Sequence, residues 1–298
     1  MSNIVIPYRG YLTQADTTPP DVPQSDLVVD FNPSKGIYDT ATWNGSVYVG
    51  SGPITTDNTA CALVNNQATY ENPITNVVPT FHQTSSGRMP IWRSGDTEAN
   101  GKPYLSFASS GDWLQFGIHS SSLNEFNEFS IYAVILPETS QSYNGGNVWS
   151  KSEDWYGYKG FASWIYRYGG RITSVAGGDG GDIDPNKIEN YDPDDPALMT
   201  VSQRIKATGE IEHSNRVQNE GASVDPRDTD VSDGFAAAWM SGSNELLIGT
   251  NRSRTTGEPP SASYSYRGRI YRFLIYDGIH TDTQELQVFS DLAAVYGI

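Results

Sequence analysis

The chain has 298 residues, enough for one large all-β domain with a sizeable core. Its 35 acidic residues against 19 basic ones give a formal net charge of −16 with no Lys/Arg cluster, a surface that repels phosphate backbones and sets nucleic acid aside as a partner. Gly, Ser, Thr, Asn, Asp and Tyr are plentiful while long Leu, Ala, Glu or Lys runs are missing, which predicts many short strands joined by turns and little helix.

The opening residues, MSNIVIPYRGYLTQAD, lack the charged start and long apolar core of a secretory signal, and no run approaches the ~18 apolar residues of a membrane helix. The expectation is a soluble product made in the cytoplasm that reaches any outside site by another route, without membrane insertion. Ile4, Val5, Ile6 and Tyr8 form an apolar tip ahead of a Pro/Thr/Asp stretch that can join neither a helix nor a central strand. Residues 1–25 are therefore expected to be an extended arm, with the tip either a docking peptide or folded back on the domain at 26–298.

Leu27 to Phe31 predicts a first strand with Leu27, Val29 and Phe31 on one face. Residues 37–79 are irregular, with Trp43, Tyr48 and Tyr70 spaced through them. Asn100-Gly101 supplies a tight turn, after which Leu105 and Phe107 alternate inward. Phe129 to Leu136, FSIYAVIL, reads as a central strand stopped by Pro137. Next come Trp155, Tyr156 and Tyr158, then Trp164, Tyr166 and Tyr168, the last three alternating with other residues so that they line one strand face. Residues 177–196 and 219–233 read as polar loops, with strands at 199–205 and 210–217 between them and another near Leu246, Leu247 and Ile248.

The final strand, from about Gly268 to Tyr276, puts Tyr271, Phe273 and Ile275 on one face and Ile270 and Leu274 on the other. Thr281 with Gln284, or Asp282 with Glu285, then offers a capping box for a short helix whose stripe is Leu286, Phe289, Leu292 or Ala293, and Tyr296.

This ending, Gly268, Ile270, Phe273, Ile275, Tyr276, Asp277 and the terminal Tyr296-Gly297-Ile298, resembles that of laminin G type domains in the concanavalin A-like lectin/glucanase superfamily. Gly87-Arg88-Met89-Pro90, then Asn100 to Phe107, then Gly111-Asp112-Trp113-Leu114 resemble another run of that family, as do residues 246–248. The resemblance implies an all-β fold: two antiparallel sheets in a jelly-roll sandwich, closed by a short C-terminal helix and preceded by the arm.

Hydrolases of that superfamily carry Glu-x-Asp-x-Glu on one strand. Here Glu210-Ile211-Glu212-His213 lacks the middle Asp and the third acid, and His82, His119, His213 and His280 show no metal-ligand spacing. Cys61 is the only cysteine, so an intrachain disulfide is excluded. No complete catalytic motif is present, and the reading is of a protein that is not an enzyme, with a glycoside hydrolase or polysaccharide lyase of the same fold as the alternative. The loop around Asp179, Asp182 and Asp184, with Asp192, Asp194 and Asp195, supplies oxygen ligands of the kind Ca²⁺ prefers; it is either a Ca²⁺ site or a solvated acidic loop, and no other cofactor is called for. Trp155, Tyr156, Tyr158, Trp164, Tyr166 and Tyr168 are either core or a platform on which sugar rings stack.

The acidic Gly/Asn/Thr/Ser-rich composition, the tether and the single cysteine together look like a bacteriophage virion component, such as a capsid decoration, head-fibre or tail adhesion protein. The expected location is a virion surface. Expected partners are other virion or surface proteins through the arm, host-surface glycans, and further copies of the chain in a homo-oligomer.

Overall fold

The computed structural model describes residues 22–45, 48–68, 80–108, 111–116, 127–139, 146–151, 160–166, 171–177, 186–188, 192, 194–208, 210–235, 245–250 and 264–298. In chain order the strands are β1 (Leu27–Phe31), β2 (Ile37–Trp43), β3 (Tyr48–Pro53), β4 (Thr59–Ala60), β5 (Leu63–Asn65), β6 (Thr80–His82), β7 (Ile91–Arg93), β8 (Tyr104–Phe107) and β9 (Leu114–Phe116). They continue with β10 (Glu128–Pro137), β11 (Gly146–Lys151), β12 (Gly160–Tyr166), β13 (Arg171–Gly177), β14 (Asn186–Ile188), β15 (Met199–Thr208), β16 (Glu210–Asn219), β17 (Asp228–Phe235), β18 (Leu246–Ile248) and β19 (Gly268–Asp277). Helix α1 (Asp282–Tyr296) follows.

These strands form two antiparallel sheets. The first runs β17-β16-β15-β10-β19-β8-β7-β4 with β1 also on β19, and the second runs β14-β13-β12-β11-β18-β9-β6-β5-β2-β3. The arrangement is a jelly-roll sandwich with one C-terminal helix, as the sequence implied. The strand reading of residues 129–136 corresponds to β10, which pairs with β15 on one edge and β19 on the other. Two readings need correction. Asn186–Ile188 and Asp228–Phe235 are strands within the stretches read as polar loops, because each pairs with a neighbour at a sheet edge and needs no apolar alternation to do so.

The inter-sheet core takes Phe129, Ile131, Ala133 and Ile135 from β10, Leu105 and Phe107 from β8, and Phe31, Phe81, Trp149 and Ile165 from the strands around them. Toward β13, β15 and β16 the interior turns polar. Trp149 Nε1 donates to Gln203 Oε1 at 3.1 Å, Asn215 Nδ2 donates to Ser174 Oγ at 3.4 Å, and His213 is buried on the same side of β16.

A second cluster lies on the outer face of the first sheet, where Tyr132, Val134, Leu274 and Tyr276 meet Val288, Phe289, Leu292 and Tyr296 of α1. Each such side chain contributes about 1.5–3 kcal/mol when withdrawn from water. The capping box is Thr281 with Gln284: Thr281 Oγ1 accepts from the Gln284 amide, and Thr281 N donates to Gln284 Oε1 at 2.9 Å. The helical stripe differs from the expected one. Leu286 is 43 % exposed and Glu285 is fully buried. Glu285 accepts from Ser202 Oγ at 2.8 Å and pairs with Arg216 at 3.4 Å and with Arg227, while Asp282 bonds Arg204 at 3.2 Å and Arg227 at 2.7 Å. Three arginines of the sheet's outer face thus hold the first turn of the helix, and this pairing turns Glu285 inward at the expense of Leu286. Val22 is buried in this cluster too, and Tyr276 donates to the Pro23 carbonyl at 3.1 Å.

The alternation expected in the last strand is broken once. Val134 pairs with Arg272 and Ile135 with Ile270, so Tyr271 is an extra residue in β19. Ile270, Phe273 and Ile275 face the inter-sheet core, while Tyr271, Leu274 and Tyr276 face the helix. A similar irregularity after Leu27 separates it from Val29 and Phe31, so Leu27 joins the helix-side cluster. Tyr271 donates to Asp96, which also meets Arg269. Burial opposes ionisation of Asp96, but Tyr271, the Glu98 amide and Arg269 outweigh it and hold the carboxyl below its ordinary range. Arg272 pairs with Asp30 of β1 through Nε to Oδ1 at 2.7 Å and Nη2 to Oδ2 at 3.0 Å, with both side chains buried. At Gly268, where φ is 148°, a Cβ would stand 2.5 Å from the Leu136 carbonyl oxygen and from the Tyr266 hydroxyl, so only glycine begins this strand.

Removing the carboxylate takes from the buried Arg272 guanidinium the ion-pair partner 2.7 Å from it. Asp30→Ala is expected to lower unfolding stability in urea by about 3–5 kcal/mol. The double variant Asp30→Ala with Arg272→Met should recover most of that loss; a single variant that costs less than about 1 kcal/mol would contradict the assignment.

Candidate functional site: an aromatic stack on the edge hairpin

The hairpin of β2 and β3 ends the second sheet, and its far end is mostly exposed. Tyr38, Thr40 and Thr42 alternate with Asp39, Ala41 and Trp43, and Asn44-Gly45 begins the connection to Tyr48. Register places Trp43 opposite Tyr48, and their rings lie 5.3 Å apart at 55°. Tyr48 in turn stacks on His82 of β6, with centroids 3.7 Å apart and planes within 19°. The three rings make a stack that runs from solvent inward: Trp43 is 44 % exposed, Tyr48 half-buried, and His82 buried.

Small residues allow this close fit. A Cβ on Gly50 would lie 2.2 Å from Tyr38 Cγ, so the hairpin packs against the Tyr38 ring only because position 50 has no side chain. On the opposite face of the hairpin from the rings, Thr40 Oγ1 and Ser51 Oγ lie 2.7 Å apart, and Thr40 Oγ1 also accepts from the Ser51 amide at 3.1 Å. The exposed indole of Trp43 is the part of this hairpin that can stack an apolar ring face.

The residues singled out from sequence are only partly brought together. Trp164 lies on β12 opposite Thr173 of β13 and is 5 % exposed, outside the inter-sheet core that takes its neighbours Phe161 and Ile165. Its ring is covered, so it offers no open platform. Tyr166 ends β12, and its side chain lies outside what is described. Trp155, Tyr156, Tyr158 and Tyr168, the acidic Asp179, Asp182 and Asp184, and the tip residues Ile4, Val5, Ile6 and Tyr8 lie outside the described residues. Of the other acids in that loop, Asp192 accepts through Oδ1 from the amides of Asp194 and Asp195 at 2.9 and 3.3 Å, a local turn. Among the described residues no group of three His, Cys, Asp or Glu side chains is gathered for a metal. Cys61 is buried, and desolvation pushes its thiol up to about 12, so it stays protonated.

Trp43 and Tyr48 stood in the sequence as two of several scattered aromatics. Asn44-Gly45 between them is a hairpin signal that could have paired them; nothing near them in sequence points to His82.

No protein-family model matches this sequence, and no curated protein matches it. Solved structures do match. An arabinofuranosidase complexed with arabinofuranosyl-α-1,2-xylobiose is 12 % identical with a TM-score of 0.50, over 91 % of this chain and 63 % of that one. The CBM40 of the Ruminococcus gnavus IT-sialidase bound to α2,6 sialyllactose is 12 % identical with a TM-score of 0.40, over 57 % of this chain and 86 % of that one. A heptameric SAP-like pentraxin from Limulus polyphemus is 11 % identical with a TM-score of 0.35, covering 54 % and 69 %. The arabinofuranosidase match is a likeness of fold alone.

Burial lowers the His82 imidazole from 6.5 to about 4, and it lowers His280, which meets the Tyr132 hydroxyl at 2.8 Å, to about 4 as well. A base with a folded pKa below its unfolded one binds more protons when unfolded. Its contribution is whole above about pH 6.5 and is lost as pH falls toward 4. Asp277, raised by its own burial, works the other way. The urea midpoint is expected to fall between about pH 7 and about pH 4.5. His82→Gln should flatten that fall; an unchanged slope would show that His82 is not shielded beneath Tyr48.

Proposed function

We propose that this chain is a non-catalytic glycan-binding sandwich that works on a particle surface. The observation that carries the reading is the open ring of Trp43 at the solvent end of the Trp43, Tyr48 and His82 stack. Pyranose rings present apolar C–H faces to aromatic planes, and the exposed indole supplies such a plane. A cross-strand aromatic pair stabilises a hairpin by roughly 0.2–1 kcal/mol, which accounts for the contact between Trp43 and Tyr48 and leaves the outer face of the indole without a role.

The non-catalytic part of the reading is supported by the setting of the acidic pair on β16. Glu212 is exposed and stands opposite Lys206 in the register, a setting in which a carboxylate is solvated and paired, not enclosed against a substrate. Placement on a bacteriophage virion, as a capsid decoration, head-fibre or tail adhesion protein anchored by residues 1–25, is supported by composition and by the Pro-rich arm.

Glycan-array binding followed by calorimetry tests this. The wild-type chain should bind, and Trp43→Ala, shown folded by circular dichroism, should weaken binding by about tenfold or more. Loss in Trp155→Ala or Tyr156→Ala with Trp43→Ala unaffected would move the site to the other aromatic run. Release of reducing sugar that disappears in Glu210→Gln or Glu212→Gln would replace the reading with that of a glycosidase.

A further inference from the structure

The chain holds three Asn-Gly pairs, Asn44-Gly45, Asn100-Gly101 and Asn144-Gly145, of which the last lies outside the described residues. Such a pair is chemically labile. The glycine amide nitrogen gives its proton to a buffer base and attacks the asparagine Cγ, and the adduct takes a proton back, expels ammonia and closes a succinimide ring. Water then opens the ring at either carbonyl and leaves aspartate or isoaspartate. Glycine favours the attack because no Cβ crowds it and its backbone turns freely.

The fold treats the two described pairs differently. At Asn100-Gly101 the nucleophile is tied, since the Gly101 amide donates to the Asp96 carbonyl at 2.6 Å. The electrophile is held too. The Asn100 carboxamide donates to the Val295 carbonyl at 3.5 Å, and it lies so close to the end of α1 that a Cβ on Gly297 would stand 3.1 Å from its Nδ2 and Oδ1. To react, this pair must give up the bonds that join it to Asp96 and to the helix. Asn44-Gly45 stands instead at the far end of the β2 and β3 hairpin, where both residues are exposed. Gly45 has a φ of 100°, and a Cβ built there would meet no atom within 4 Å. That open space lets the connection rotate until amide and carboxamide reach attacking distance, roughly 3–3.5 Å.

We infer that Asn44 is a site of spontaneous modification, deamidating through a succinimide with Gly45, while the fold protects Asn100 from the same reaction. The product places a new carboxylate next to Trp43. Its isoaspartate form also adds a main-chain carbon to the connection between two strands that set Trp43 opposite Tyr48. The inference stands on this geometry and does not depend on a glycan.

The purified full chain is aged in neutral buffer at physiological temperature, one portion folded and one in concentrated urea. Tandem mass spectrometry of its peptides follows each asparagine, with aspartate and isoaspartate counted separately. In the folded chain Asn44 should convert at least about tenfold faster than Asn100, and urea should bring the two rates together. Gly45→Ala, shown folded by circular dichroism, should slow Asn44 by about tenfold or more without changing Asn100. Equal rates in the folded chain would overturn the protection assigned to Asn100. An Asn44 that stays intact in the folded chain while both pairs convert in urea would overturn the site, as would conversion at Asn44 that Gly45→Ala leaves unchanged.

Discussion

Burying a guanidinium is costly unless a carboxylate is held against it, and the buried Arg272 and Asp30 pair, which joins β19 to β1, sets that condition. It requires β1 to lie against β19 in one register, since a slip by one residue would send Asp30 to the inter-sheet core and Val29 or Phe31 to the helix side. The extra residue at Tyr271 makes the arrangement work: it lets two consecutive side chains face the same way, so that Tyr271 reaches Asp96 and Arg272 reaches Asp30. Asn66 adds a clamp on the first strand, accepting from the Asp30 amide at 2.6 Å and donating to the Val28 carbonyl at 2.9 Å. Polar pairs that span the chain thus fix the register that the apolar layers then fill.

The helix repeats this logic on its own scale. Val288, Phe289, Leu292 and Tyr296 provide the adhesion, but apolar contact alone does not decide which way the first turn faces. Arg204, Arg216 and Arg227 decide it by meeting Asp282 and Glu285, the two carboxylates that also offset the positive N-terminal end of the helix dipole. Arg227, first among these, holds the Asp282 carboxyl below its ordinary range. Leu286, which a hydrophobicity pattern would send inward, is left in solvent.

What the sequence showed and what it hid follow from this. The apolar run of β10, the inward Leu105 and Phe107, and the Thr281 cap were legible because each depends on neighbours two to four residues away. The bulge in β19 was not, since an inserted residue leaves the apolar spacing nearly unchanged and shows only against the partner strand. Asp228–Phe235 was hidden for a different reason: an edge strand in polar surroundings is made by backbone pairing with β16. Trp164 stood as either core or platform because alternation cannot say whether the outer face of a sheet is covered. The hairpin stack was half-visible, with Asn44-Gly45 announcing the turn, but His82 comes from a strand thirty-nine positions after Trp43 and only folding brings it under Tyr48.

The seat of β19 between β10 on one edge and β1 and β8 on the other has a consequence in time. Asp30 and Arg272 are 242 positions apart in the chain, and β10 finds its partner well over a hundred residues later. During synthesis, Phe129, Ile131 and Ile135 emerge long before the strand that closes their sheet, leaving an apolar strand edge unpaired in the interval. Such topology folds slowly, because loop entropy is lost before the distant contacts form. Until residues 268–277 arrive, the edge of β10 that pairs with β19 stays open to other chains.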